Sequence, residues 1–212
     1  MENKKALEFF ENMSLNTKDQ QSVKLANVTD LTQIDADFIM QHCGKESSIL
    51  DLGSGTGLII NKIYDKVRNI VAVEPFSAFT EFIVNSPNVK IVNKTFEKFS
   101  TEEKFDCVTI FGTMHYFNEQ EAIKIYTKFF DNIKNRGKLI IKNQFGVTED
   151  VTVDGYSEEQ KTNYFAQYRF IDNEVKILQK IGFKSIQVVD IYPPESNRWT
   201  NTHFYAIVAS KH

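Results

Sequence analysis

The stretch Ile49-Leu50-Asp51-Leu52-Gly53-Ser54-Gly55-Thr56-Gly57 constrains this chain more than any other. An apolar run leads straight into three glycines at alternate positions, and a helix-like pattern follows from Leu58 to Val67. The next apolar run, Ile70-Val71-Ala72-Val73, ends on Glu74. Strand, glycine loop, helix and strand in that order make a parallel βαβ unit. Its loop and its acid fall at the carboxyl edge of the sheet, where open α/β folds bind ligands. Glycine takes backbone angles closed to other residues and lets a ligand approach the main chain closely. A carboxylate at Glu74 can accept two hydrogen bonds from a ribose diol.

The alternation continues along the chain. Strands are expected at Ser48–Leu52, Ile70–Glu74, Val89–Asn93, Cys107–Gly112 and Lys138–Lys142, all nearly continuous apolar runs, as in a sheet covered on both faces. Helices are expected at about 57–67, 77–85, 119–134 and 170–181, with Gly137 and Gly182 as stops. The tail breaks the pattern. Lys184–Asp190 and His203–Ser210 are strand-like with only a loop between them, which makes the pair antiparallel. Before the first strand, Ala6–Met13 has helical spacing, a polar stretch runs from Asn16 to Ser22, and a second helix starts near Asp30 and stops by Gly44. The reading is an N-terminal helical cap or lid at 1–44 and an α/β domain at 45–212. An insertion at about 145–169 would build a substrate site, with a short helix opening at Ser157, Glu158 and Glu159.

A dinucleotide fingerprint needs Gly-x-Gly-x-x-Gly, but the third position here is Leu58. The pattern Asp51-x-Gly53-x-Gly55-x-Gly57, with Glu74 closing the next strand, resembles motif I of the class I S-adenosylmethionine (SAM) methyltransferases. The resemblance spans roughly residues 45–212. It implies a doubly wound, mostly parallel seven-stranded sheet with a reversed last strand. It also implies SAM as cofactor and S-adenosylhomocysteine as product. In that pattern Gly53, Ser54 and Gly55 pass the methionyl part, Gly57 completes the loop, and Asp51 receives the amino group. Glu74 takes the ribose hydroxyls, and Pro75 and Phe76 touch the adenine. Thr95 or Phe96 stands where many relatives carry an Asp for the adenine amino group; Phe96 is equally a core residue. Gly112 closes the fourth strand on the same edge.

Methyl transfer is an in-line displacement, so the acceptor atom must lie opposite the sulfur. A hydroxyl acceptor benefits from a base, and His115, just past the fourth strand, is the candidate; its alternative is packing against the next helix. Tyr116, Gln144, Tyr164, Tyr168, Arg169 and Arg198 are candidate acceptor contacts. A guanidinium at Arg169 or Arg198 suits a phosphate or carboxylate. His203 is a weaker candidate than an ordinary strand residue, and His42 and His212 are expected in solvent.

The chain has 212 residues and a net charge of -3, with Lys and Arg scattered rather than striped, so no nucleic-acid partner is expected. No run is long and apolar enough to cross a membrane, and the N-terminus has no signal-peptide core, which points to the cytoplasm. Cys43 and Cys107 make no metal or disulfide framework and are expected in the core, and no metal site is expected. No Asn/Asp-Pro-Pro-Tyr motif follows the fourth strand. The short, plain frame resembles bacterial enzymes for metabolites and cell-surface building blocks. That resemblance implies methylation of a small molecule, at a hydroxyl oxygen rather than nitrogen, with a sugar or cell-surface precursor as examples. The alternatives are an N-methyltransferase of a metabolite, a nicotinamide-dependent oxidoreductase, and a non-catalytic SAM-binding partner subunit. Oligomeric state is left open.

Overall fold

The computed structural model describes residues 4–23, 30–157 and 162–212. One sheet of seven strands organises them, in the order β3-β2-β1-β4-β5-β9-β8. The strands are β1 (Ser48–Leu52), β2 (Asn69–Val73), β3 (Val89–Val92), β4 (Phe105–Phe111), β5 (Ile133–Gly146), β8 (Lys184–Asp190) and β9 (Thr202–Ser210). Neighbours from β3 to β5 are parallel, whereas β9 is antiparallel to both β5 and β8. The reversed strand is thus last in sequence but lies inside the sheet, and β8 forms the edge.

Every residue of β1 is buried, because both faces of the sheet are covered. On one face α5 (Glu119–Phe130) and α6 (Ile171–Ile181) set Tyr126, Phe129, Ile177 and Leu178 against Leu50, Val108 and Ile141. On the other, α2 (Thr32–Met40) and α3 (Ile60–Ile63) set Phe38, Ile39, Ile60 and Ile63 against Ile49, Ile70 and Cys107. Burial of such side chains is the main favourable term in folding. Asp30 does act at the start of α2: its carboxylate accepts the Thr32 N–H at 2.9 Å. Cys43 and Cys107 are buried free thiols.

Several elements differ from expectation. The helix from 77 stops at Thr80, as α4 (Ser77–Thr80), because Asn61 captures the chain beyond it. Its Oδ1 accepts the Val84 N–H at 2.8 Å, and its Nδ2 donates to the Phe82 carbonyl at 2.9 Å. The helix expected to reach 134 ends at Phe130. Asn132 donates to the carbonyls of Thr101 and Glu103, and Ile133 already pairs with Phe105 in the ladder. Gly137 is consequently inside β5, not past a helix. β5 is far longer than the expected 138–142, since Asn143, Gln144, Phe145 and Gly146 pair with Tyr205, Phe204, His203 and Thr202.

The insertion is not helical where it is described. It is an antiparallel hairpin, β6 (Val151–Ser157) and β7 (Thr162–Tyr168); Glu158 and Glu159 lie outside the described residues. The first helix, α1 (Lys4–Leu15), packs on this hairpin and on α4. Ala6 and Phe10 meet Tyr116, Tyr164 and Tyr168, while Phe9 and Met13 meet Phe79. The chain after α1 is tied to the glycine loop by Thr56 Oγ1, which donates to the Gln20 carbonyl at 2.6 Å. Of the expected cap at 1–44, residues 1–3 and 24–29 lie outside the described residues, and α2 belongs to the helical layer of the sheet. No helix among the described residues is long and apolar enough to cross a membrane.

Candidate active site

A cavity of about 640 Å³ opens at the carboxyl ends of β1, β2, β4 and β5. Its floor is the glycine loop. Gly53, Gly55 and Gly57 all have positive φ, at 81°, 52° and 73°. They are glycines for different reasons. A Cβ on Gly53 would meet Thr113 Oγ1 at 2.5 Å, and one on Gly57 would meet Ile83 Cγ1 at 2.7 Å. A Cβ on Gly55 would meet nothing within 4 Å, and Gly55 lines the cavity. Packing therefore demands two of the glycines, and the third leaves main chain open to whatever fills the space. Gly112, with φ 67°, lines the cavity with the same open surroundings.

Two buried carboxylates flank the loop. Asp51 accepts a hydrogen bond from Thr109 Oγ1 at 2.6 Å, and burial raises its pKa. Glu74 accepts the Phe76 N–H through Oε1 at 3.1 Å and the Gly55 N–H through Oε2 at 3.0 Å. Burial still outweighs those bonds and pushes its pKa up to about 7. An uncharged diol or a cation supplying donors would stabilise the ionised form. Pro75, Phe76 and Thr95 line the same end of the cavity. Phe96 lines it too, but its ring stacks on Phe117 at 5.5 Å and meets Phe129 edge-on, so it is also core.

The other end is built by the short 3₁₀ turn Met114–Tyr116, the ends of β5 and β7, and α1. His115 Nδ1 lies 2.7 Å from Asn143 Oδ1, which fixes the proton on Nδ1. Its ring lies between Tyr116 and Tyr168, at 4.0 and 5.2 Å centroid distance. Desolvation, followed by the charges of Arg198, Arg169 and Lys142, lowers its pKa to about 3 against the raising effect of Asn143. The imidazole is neutral, and Nε2 has no hydrogen-bond partner among the described residues. Tyr164 and Tyr168 share a hydrogen bond at 3.0 Å, and Trp199 Nε1 donates to the Tyr168 hydroxyl at 3.0 Å. Burial raises the pKa of Tyr116, Tyr164 and Tyr168, so all three are neutral hydrogen-bonding groups.

Of the expected acceptor contacts, Tyr116, Gln144, Tyr164, Tyr168 and Arg198 line this cavity. Gln144 Nε2 is already held by Thr202 Oγ1. Arg169 is a correction. Its guanidinium is buried and spends its donors on Glu174, at 2.7 Å from both Nε and Nη2, and on the carbonyls of Met114 and Phe117. It braces the turn that carries His115 instead of facing a ligand. His203 is likewise structural, its Nε2 being 2.6 Å from Asp190 and its Nδ1 2.9 Å from Asn197. His42 is not in open solvent: its ring meets Phe38 edge-on, and Lys138 lies 3.3 Å from Nδ1.

The sequence reading missed Asn143, the partner of His115, because the fifth strand was ended one residue before it. Asn143 follows Lys142 and precedes Gln144, so the local apolar pattern ends before it, and only Phe145 hints that the strand continues. It also missed an ion pair in the wall. Lys142 Nζ lies 3.0 Å from Asp35 Oδ2 and 3.1 Å from the Tyr192 hydroxyl, which donates to Asp35 Oδ1 at 2.7 Å. These residues are distant in sequence, so only the fold joins them.

Residues 49–137 match the family model described as "Methyltransferase domain". Over 202 residues the chain is 25% identical to the carboxy-S-adenosyl-L-methionine synthase of Nautilia profundicola, covering 82% of each sequence. Its fold resembles that of a solved "DhpI-SAM-HEP complex", with a TM-score of 0.73, 11% identity, and 97% and 96% of the two chains covered. It also resembles the 1,6-didemethyltoxoflavin-N1-methyltransferase of Burkholderia thailandensis, at TM-score 0.65 and 14% identity, over 85% of this chain and 77% of the other. The match covers a methyltransferase domain over residues 49–137, and the seven-stranded sheet with its reversed β9 has the fold of solved SAM-dependent methyltransferases.

Proposed function

From that domain match and fold we propose that the chain is a class I SAM-dependent methyltransferase, with SAM as its cofactor, and that it methylates a hydroxyl oxygen of a small-molecule acceptor. The observation that carries this is the unpartnered Nε2 of a neutral, oriented His115 in the wall of the cavity. Gly53, Ser54, Gly55 and Gly57 would hold the methionyl part of the cofactor, with Asp51 on its amino group. Glu74 would take the ribose, and Pro75, Phe76, Thr95, Phe96 and Gly112 would border the rest. The open space over Gly55 and the two desolvated carboxylates fit such a ligand. When bound, SAM supplies an electrophilic methyl group on a sulfonium whose leaving group is a neutral thioether.

His115 Nε2 accepts the hydrogen bond of the acceptor hydroxyl and so aims an oxygen lone pair. Its basicity is weak, but a hydroxyl oxygen acquiring a third bond becomes an oxonium, a far stronger acid than an imidazolium. The proton therefore passes to Nε2 as the new O–C bond forms, and not before. Tyr116, Tyr164 and Tyr168 supply neutral donors and aromatic walls, as small-molecule sites commonly do. Phe9, Phe10 and Met13 of α1 close the cavity on its remaining side.

Calorimetric titration with SAM and S-adenosylhomocysteine tests the cofactor assignments. Micromolar binding that is lost in Glu74→Ala is the expected result; equal binding in the variant overturns the role of Glu74. The carbon-13 chemical shift of the transferred methyl group in the product then decides oxygen against nitrogen.

A further inference from the structure

The wall of the cavity contains a guanidinium that no described residue neutralises. Arg198 lies in the loop between β8 and β9, and its side chain lines the cavity beside Tyr164, Tyr168 and His115. The neighbouring cations are accounted for. Lys142 is paired with Asp35 at 3.0 Å, and Arg169 with Glu174 at 2.7 Å. Arg198 has neither an ion pair nor a hydrogen bond to any described residue, and it is exposed.

The backbone around it is anchored. Trp199 donates to the Tyr168 hydroxyl, the Trp199 carbonyl accepts from Thr202 Oγ1 at 2.6 Å, and the Asn197 side chain is held by His203. A surface arginine on a loose loop explains none of these restraints. The charge is felt across the acceptor end: it lowers the pKa of His115 and, against the rise from burial, those of Tyr116, Tyr164 and Tyr168.

We propose that the acceptor is an anion, and that Arg198 binds its carboxylate or phosphate group. This deepens the reading of the same cavity as the acceptor site and rests on it. A guanidinium holds such groups through two parallel N–H donors, which fixes orientation as well as position. Tyrosine hydroxyls beside it can complete the oxyanion's hydrogen bonds. An anion there also neutralises a charge that opposes protonation of His115, so binding the correct acceptor makes the imidazole a better base. A neutral alcohol gains neither effect.

The test uses the full chain saturated with S-adenosylhomocysteine, which keeps the cofactor end filled. Inorganic phosphate and acetate are titrated separately, at ionic strength matched with sodium chloride, against wild type and Arg198→Gln; thermal stabilisation and calorimetric heat are read. Wild type is expected to bind one or both oxyanions, and Arg198→Gln to bind them roughly tenfold more weakly or not at all. Phosphate alone indicates a phosphorylated or phosphonylated acceptor, and acetate alone a carboxylic acid. Equal responses in the two proteins, or no response in wild type, overturn the proposal. Binding of S-adenosylhomocysteine, measured first in both proteins, reports separately on the cofactor reading. If it fails, that reading falls; if it holds while the oxyanion response is absent, only the anionic acceptor falls.

Discussion

His115, in the turn after β4, and Asn143, in β5, are held 2.7 Å apart, with the imidazole Nδ1–H donating to the amide oxygen. That bond leaves Nε2 as the only ring atom able to meet an acceptor. His115→Ala is therefore expected to lower turnover by about 10²–10⁴, the usual range for loss of a general base. Binding of S-adenosylhomocysteine should stay within a few-fold of wild type. Asn143→Ala frees the ring to rotate and change tautomer, so it should lower turnover less and leave cofactor binding intact. Single-turnover rates beside calorimetric affinities separate the two effects. Unchanged turnover in His115→Ala would leave the residue with a packing role between Tyr116 and Tyr168.

Gly53 and Gly55 invite a direct contrast. Alanine at either must adopt a left-handed backbone, which costs roughly 1–2 kcal/mol. At Gly53 the new methyl group would also lie 2.5 Å from Thr113 Oγ1, so Gly53→Ala should be the less stable protein in chemical denaturation. At Gly55 nothing stands within 4 Å, so Gly55→Ala should fold well and lose cofactor affinity. The reverse ordering of stabilities would contradict the packing described for the loop.

The bidentate pair between Arg169 and Glu174 is almost fully buried, and Glu174 also accepts from the Tyr126 hydroxyl. Removing one partner strands the other charge in the core. Arg169→Met should cost about 3–5 kcal/mol of stability. It should also release the carbonyls of Met114 and Phe117 and loosen the turn that carries His115. Urea unfolding measures the first effect, and turnover at saturating cofactor the second. A stability change within about 0.5 kcal/mol, the range of ordinary surface substitutions, would refute this role.

How much of this was legible in the chain follows the range of the interactions. The glycine loop and Glu74 are local: an apolar strand, a turn that needs positive φ and a terminal acid announce themselves in sequence. The reversed final strand was legible because no helix separates Lys184–Asp190 from His203–Ser210. Arg169 was misread because two of its partners, the carbonyls of Met114 and Phe117, are 55 and 52 residues away, and an arginine promised to a distant carbonyl looks the same in sequence as one promised to a ligand; Glu174, five residues on, was the one local sign. The Asp35–Lys142–Tyr192 cluster was invisible for the same reason. The lengths of α4 and α5 failed because Asn61 and Asn132 override local helical spacing by binding backbone carbonyls and amides elsewhere.

Glu74 gives the cofactor end a distinct pH signature. Its pKa is about 7 in the folded protein against an ordinary 4.5, so between those values the folded state holds the extra proton. The associated stability is full below pH 4.5 and is lost as pH rises through 7, a change of roughly 3 kcal/mol. Ribose hydroxyls donate to a carboxylate, so binding favours the ionised form and must expel the proton below pH 7. Affinity for S-adenosylhomocysteine should accordingly increase about tenfold from pH 6 to pH 8 if the bound carboxylate is fully ionised. The binding heat should depend on the ionisation enthalpy of the buffer at pH 6 and much less at pH 8. Glu74→Gln cannot titrate, so whatever affinity it retains should lose this component of the pH dependence. If wild type and Glu74→Gln show the same pH profile, the proton belongs to another group, and Glu74 is not the carboxylate that meets the cofactor.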